Sequence, residues 1–259
     1  MRLFLLILML LPSVSEAYEL PARAREILDS RTALPGPNCW NSALYGAGLV
    51  NGLRHVTGDE FTAWISSPLC REVPEAEAAG GDIVAFRRST IEGKLVDGPY
   101  GSEIHAFLLV SPNEAFTKNG AVATYEFRLQ DLVSLREQYE KANRSECRML
   151  DFPRSHCALK AQYFRCESSA VSVPEALFSV TLATAALEAR LHRLYTGVGG
   201  EAADPAKLEN AKVEIRARVS VIEQELAKAV SGGGLEGSGH EWKAEVLRQR
   251  LRSAGAFTF

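Results

Sequence analysis

Among the five cysteines of the 259-residue chain, Cys39 stands where a thiol nucleophile is made. It lies in Pro35-Gly36-Pro37-Asn38-Cys39-Trp40-Asn41-Ser42-Ala43-Leu44, a Pro/Gly turn that runs directly into a helical stretch. The first turn of a helix carries backbone N–H groups without intrahelical partners and the positive end of the macrodipole. Both favour a thiolate and receive an oxyanion. Attack on an amide or ester carbonyl also needs a base, and histidine is the usual one because it titrates near neutrality. Of the five histidines, His55 lies in a polar loop, His156 among cysteines, His192 on a helix flank and His240 in the first turn of the last helix, all positions that read as surface or capping. His105 interrupts the apolar run Ile104 to Val110, where a polar ring costs free energy unless it is partnered. It reads either as a core histidine satisfied by backbone or as the base for Cys39.

Cys70, Cys147, Cys157 and Cys166 are the remaining cysteines. In an oxidising compartment they form two disulfides, in any of three pairings, and one thiol is left over. The rival is a zinc site built from Cys147, His156, Cys157 and Cys166, although their spacing follows no standard zinc pattern. Export is indicated by Met1-Arg2, the apolar run Leu3 to Leu11, and Ser15 and Ala17 before a cut after Ala17, the layout of a signal peptide. That run is too short to span a bilayer, and no later segment approaches the required length. With 29 basic and 32 acidic residues and no basic stripe, the chain does not have the charge distribution of a nucleic-acid binder or an electrostatic membrane anchor. Asn143-Arg144-Ser145 matches the glycosylation sequon, which has no meaning in a bacterial host.

The elements that must position Cys39 and His105 follow from pattern. A short helix spans Ala22 to Leu28, and the Cys39 helix continues through Leu44 and Leu49 until Asn51-Gly52. A Thr57/Glu60 capping box starts another helix with Phe61, Trp64 and Ile65 on one face, ended by Pro68. After Gly80-Gly81-Asp82 the pattern changes: Ile83 to Phe86 and Ile104 to Val110 read as buried strands separated by a loop from Arg87 to Ser102. Ala115 to Lys118, a tight Asn119-Gly120 turn and Ala121 to Phe127 complete an antiparallel meander, and a helix from Leu129 to Tyr139 closes it. Beyond Ser168 the composition turns to alanine, leucine and alternating charge. Leu177, Val180, Thr184, Leu187, Leu191 and Leu194 define one amphipathic helix ended by Gly197. Asp204-Pro205 opens a second that stops at Gly232-Gly233-Gly234, and a Ser238/Glu241 capping box opens a third. These helices pack on themselves or on the sheet, or they meet a partner protein as a coiled coil.

The order of these features resembles the NlpC/P60 family of papain-like cysteine peptidases. The resemblance runs from Pro35 to Leu132 and rests on a cysteine at a helix N-terminus, the strand Gly81-Asp82-Ile83-Val84-Ala85-Phe86, and a following strand headed by His105. It implies an α+β fold in which the cysteine helix packs on an antiparallel sheet. It also implies Cys39 as nucleophile, His105 as base, and a third polar residue on the next strand that orients the imidazole. There the family commonly has histidine, and Phe116-Thr117-Lys118-Asn119 offers Thr117 or Lys118. Thr117 holds the ring through its hydroxyl, whereas a protonated lysine cannot accept the imidazole N–H. Asn38-Cys39-Trp40-Asn41 replaces the family's Asp-Cys-Ser-Gly, and Gly80 replaces the proline before Gly-Asp. Cys39-Trp40 is similar to the papain pair, but papain-like enzymes place the histidine about 130 to 150 residues further on. Asp97 and Glu103 are near enough in sequence to tune His105, though acidic residues in a loop are ordinarily just solvated.

The expected organisation is a signal peptide over 1–17, an NlpC/P60-like thiol hydrolase domain over 18–168 and a helical C-terminal region over 169–259. The expected function is cleavage of amide or peptide bonds by a Cys39/His105 dyad assisted by Thr117, without cofactor or metal. The resemblance implies peptidoglycan as substrate class and a secreted or periplasmic location. An acyltransferase would use the same residues. A non-catalytic secreted binding or structural protein, with the C-terminal helices meeting a protein partner, is the alternative.

Overall fold

A computed structural model describes residues 20–30, 36–97, 101–122, 124–167, 173–196 and 205–256. The signal-peptide reading over 1–17, Pro35, the boundary at 168/169 and the Gly197 stop lie outside the described residues. Helices α1 (Ala22–Ser30), α2 (Cys39–Gly46) and α3 (Gly58–Ile65) come first, followed by strands β1 (Cys70–Val73), β2 (Ile83–Ser89), β3 (Glu103–Ser111), β4 (Glu114–Lys118) and β5 (Phe127–Asp131). Then come α4 (Leu132–Met149), β6 (Ala158–Cys166) and three further helices, α5 (Glu175–Thr196), α6 (Pro205–Ser231) and α7 (Glu241–Gly255). The strands form one antiparallel sheet in the order β1-β6-β2-β3-β4-β5. The chain is therefore a mixed α+β protein. Among the described residues, no helix is long and apolar enough to cross a membrane.

Strand alternation divides the core into two layers. Ile83, Ala85, Ala106, Leu108, Val110 and Phe116 pack with Ala43 and Leu44 of α2 and with α3. Val84, Phe86, Phe107, Leu109 and Ala115 pack on the other face with Leu135 of α4. A third cluster, in which Leu187, Leu191, Ile215, Ile222 and Leu251 take part, joins α5, α6 and α7. The C-terminal helices are also keyed into the first unit by polar contacts. Glu188 of α5 accepts from Arg54 at 2.8 Å and from Arg250 of α7 at 2.9 and 2.6 Å, while Arg54 also meets both oxygens of Glu60. His192 Nδ1 accepts the Leu53 N–H, and Ser253 Oγ accepts the Thr57 N–H.

Several boundaries differ from the pattern reading. Helix α2 ends at Gly46 rather than at Asn51, because Gly48 turns into the left-handed region at φ 79° and the Leu49 N–H returns to the Leu44 carbonyl. Strand β2 runs on to Ser89, since Arg87 and Arg88 are buried and paired, with Glu103 and Glu146 respectively. The Asn119-Gly120 turn is not a two-residue hairpin. Lys118 pairs with Phe127, and a longer loop intervenes. Leu129 lies in β5, and α4 starts only after Asp131, whose carboxylate accepts the Ser134 N–H. The Ser238/Glu241 box does not form: Ser238 Oγ takes the His240 N–H, and His240 is the N-cap of α7. The Thr57/Glu60 box is half made. Thr57 caps Glu60 N–H, while the Glu60 carboxylate goes to Arg54 instead of back to Thr57. Strands β1 and β6 were not anticipated.

Candidate functional site

Cys39 is the first residue of α2, and Asn38 is its N-cap. The Asn38 side chain accepts the Asn41 N–H at 3.1 Å and donates to the Val56 carbonyl at 2.7 Å, which fixes where the helix begins. Gly36 ahead of it has φ 106°, and a Cβ there would lie 1.8 Å from the Tyr195 ring, so the turn accepts only glycine. Cys39 is the free cysteine. Cys70 is bonded to Cys166 across β1 and β6, and Cys147 to Cys157 between the end of α4 and the approach to β6. Those bonds consume the thiolates that the zinc alternative requires. They also settle which of the three pairings is present.

The Cys39 sulfur is approached by the backbone N–H groups of Ala106, Trp40 and Cys39 itself, and the Lys118 ammonium adds a favourable charge. Burial nevertheless dominates and pushes the thiol up to about 11, so the resting group is a thiol and not the thiolate that the helix start implied. Lys118, likewise buried, is lowered to about 8 by desolvation and donates to the Gly120 and Val122 carbonyls at 2.7 and 3.1 Å. With the Gly36 N–H on the Ala121 carbonyl, these bonds hold the loop after β4 against the turn before Cys39.

His105 and Thr117 are brought together. Thr117 Oγ1 lies 2.9 Å from His105 Nε2, and both residues are buried. The imidazole stacks on Tyr139 of α4 with centroids 3.8 Å apart and planes at 13°, and it neighbours Phe86 and Phe107. Burial depresses it to about 3, so it is neutral. Among the described residues Nδ1 has no hydrogen-bond partner. Cys39 and His105 are therefore not joined by a hydrogen bond. The reason is the period-two alternation of β3, which turns His105 with Phe107 and Leu109 toward α4 and Ala106 with Leu108 toward α2. The thiol meets the amide N–H immediately after His105 rather than its ring.

Glu103 does not tune His105; it pairs with Arg87 at 2.7 Å and accepts from Thr62 at 2.6 Å. Asn143 of the sequon is buried and bound to Arg88, Cys157 and Ala158, so it is unavailable to a glycan in the folded chain. Tyr139 and Lys118 are the site residues that pattern reasoning left without a role. Tyr139 sits beyond the strands on a helix. Strand alternation from Thr117 places Lys118 on the side of Cys39 and away from His105. Trp40 Nε1, next to Cys39, is a further buried donor with no partner among the described residues.

The fold and site together define an α+β protein with a buried, unbridged thiol at a helix start beside a threonine-held histidine. Comparison with protein-family models, curated proteins and solved structures finds no match for this chain.

Proposed function

We propose that this chain is an exported thiol hydrolase of NlpC/P60-like, papain-like type, cleaving amide or peptide bonds of peptidoglycan. One conjunction carries the reading: the single cysteine outside the disulfides has three backbone N–H groups around its sulfur, and it touches the peptide that follows a histidine with Nε2 held and Nδ1 free. Packing of α2 on an antiparallel sheet agrees with the papain-like arrangement. Export to a secreted or periplasmic location is supported by the apolar leader and by two disulfides, which persist where thiols are oxidised.

In this mechanism Nε2–H donates to Thr117 Oγ1, leaving the Nδ1 lone pair to accept the Cys39 proton. Sulfur attacks the carbonyl carbon, and the backbone N–H groups at the start of α2 receive the oxyanion. The imidazolium returns its proton to the leaving amine, and water activated by Nδ1 then releases the acid from the thioester. An acceptor amine in place of water gives acyl transfer. In the geometry described the thiol meets the Ala106 N–H while the His105 ring faces α4, so turnover on this reading requires a rearrangement that brings Nδ1 round to the sulfur. The non-catalytic reading draws on the same burial, because a thiol raised to about 11 and an imidazole lowered to about 3 are inert where they lie.

Peptidoglycan incubated with the oxidised protein and analysed by mass spectrometry separates the two. Expected are new cleavage products that disappear in Cys39→Ala and His105→Ala and persist in Lys141→Ala, an exposed α4 position. Products identical to the enzyme-free control, or unchanged in Cys39→Ala, overturn the hydrolase. Alkylation of the resting protein should modify Cys39 alone, with a rate that climbs beyond pH 9.

A further inference from the structure

A cavity of about 400 Å³ opens at the C-terminal end of α4, on the side of the sheet away from α2, and is within the size range of small-molecule sites. Lys141, Arg144 and Arg148 reach it from one face of α4, at the spacing i, i+3, i+7. Arg154 reaches it from the 3-10 turn Arg154–His156, and the Cys147–Cys157 bond in the cavity wall ties that turn to the helix. The Phe152 N–H on the Cys147 carbonyl and the Asn143 amide on the Cys157 and Ala158 carbonyls hold the same frame. Among the described residues, Lys141, Arg148 and Arg154 have neither an ion pair nor a side-chain hydrogen bond, and Arg144 has only the exposed Glu140, at 3.6 Å. The described walls carry no carboxylate: Glu140 is shared between Arg136 and Arg144, Glu146 is turned to Arg88, and Asp151 stays outside them.

We infer that this cavity binds a phosphate group carrying two or more negative charges, with Arg148 and Arg154 as its main donors and Lys141 and Arg144 beside them. A concave wall of one charge sign concentrates the field of its members, and guanidinium groups take phosphate oxygens in pairs. Cations that converge from a helix face and from a separate turn suit a tetrahedral oxyanion, whose oxygens point in several directions, better than a planar carboxylate. Such a group occurs on soluble phosphate esters and anhydrides and on lipid headgroups. The site is independent of the thiol chemistry proposed above.

Calorimetric titration of the oxidised full chain with pyrophosphate, phosphate and acetate is the test. Expected are saturable binding of one pyrophosphate per chain, phosphate weaker by about tenfold, and no saturable response to acetate. Arg148→Gln/Arg154→Gln should weaken pyrophosphate by about a hundredfold with the circular dichroism spectrum preserved, since both side chains are exposed. Arg216→Gln/Arg218→Gln, which removes the same charge from exposed positions of α6, should leave the affinity unchanged. Vesicles of phosphatidylcholine with phosphatidic acid distinguish the sources: retention lost in Arg148→Gln/Arg154→Gln assigns the group to a headgroup, and pyrophosphate binding without retention assigns it to a soluble ligand. Absence of saturation with pyrophosphate, affinity indifferent to Arg148→Gln/Arg154→Gln, or an equal loss in Arg216→Gln/Arg218→Gln overturns the proposal.

Discussion

Replacing Glu188 by glutamine keeps the shape of the residue and removes one charge from between Arg54 and Arg250. Burial alone would favour the neutral acid, but the two guanidinium groups outweigh it and hold Glu188 at about 2, against 4.5 when unperturbed. A carboxylate so depressed contributes about 3 kcal/mol to stability at neutral pH. The folded value lies below the unfolded one, so the contribution is complete above pH 4.5 and is lost as pH falls toward 2. At pH 3 about half of it remains. Glu188→Gln should therefore unfold about 3 kcal/mol more easily at pH 7, and the gap should close as the wild type is itself protonated. Guanidinium chloride unfolding of both proteins at pH 7, 4.5 and 3 measures this, with exposed Glu223→Gln as control. A difference below 1 kcal/mol at pH 7, or one that does not change with pH, would refute the electrostatic account.

Thr117→Val removes the partner of His105 Nε2 and leaves a buried imidazole bonded at neither nitrogen. A loss of about 1–3 kcal/mol is expected by thermal unfolding, with recovery in Thr117→Ser. The two disulfides should differ in worth. Cys70–Cys166 spans 96 residues and Cys147–Cys157 spans 10, so chain entropy makes the Cys70→Ser/Cys166→Ser protein about 2 kcal/mol less stable than the Cys147→Ser/Cys157→Ser protein in denaturant melts.

The helices were legible because their apolar residues repeat at helical spacing and nearly all of those positions prove buried, as with Leu177, Leu187 and Leu194 of α5. The central strands β2 and β3 were legible as apolar runs. Strand β6 was not: Ala158-Leu159-Lys160-Ala161-Gln162 lacks a β-branched or aromatic run, and its place between β1 and β2 is set by long-range pairing. At the site, Cys39 at a helix start and Thr117 against His105 could both be read from the sequence. The side of the sheet that His105 occupies could not be, because alternation along β3 says which residues share a face but both faces are apolar, and packing by α2 on one and α4 on the other decides which is which. The protonation of Cys39 is likewise invisible in local sequence. The helix end is a local feature visible in sequence, whereas the burial that outweighs it comes from strands and loops far along the chain.

The contacts of α5 and α7 around the Cys39 segment have a kinetic consequence. Thr57 waits for Ser253, 196 residues later, Arg54 waits for Glu188, and the Tyr195 ring lies against the glycine turn before Cys39. Such distant partners close late in folding. Until the segments around it have packed, Cys39 is one of five competing thiols. The order in which the chain oxidises and the order in which it packs must therefore be matched: the Cys70–Cys166 and Cys147–Cys157 bonds have to form before, or faster than, any bridge to Cys39, the thiol that ends buried and unbridged.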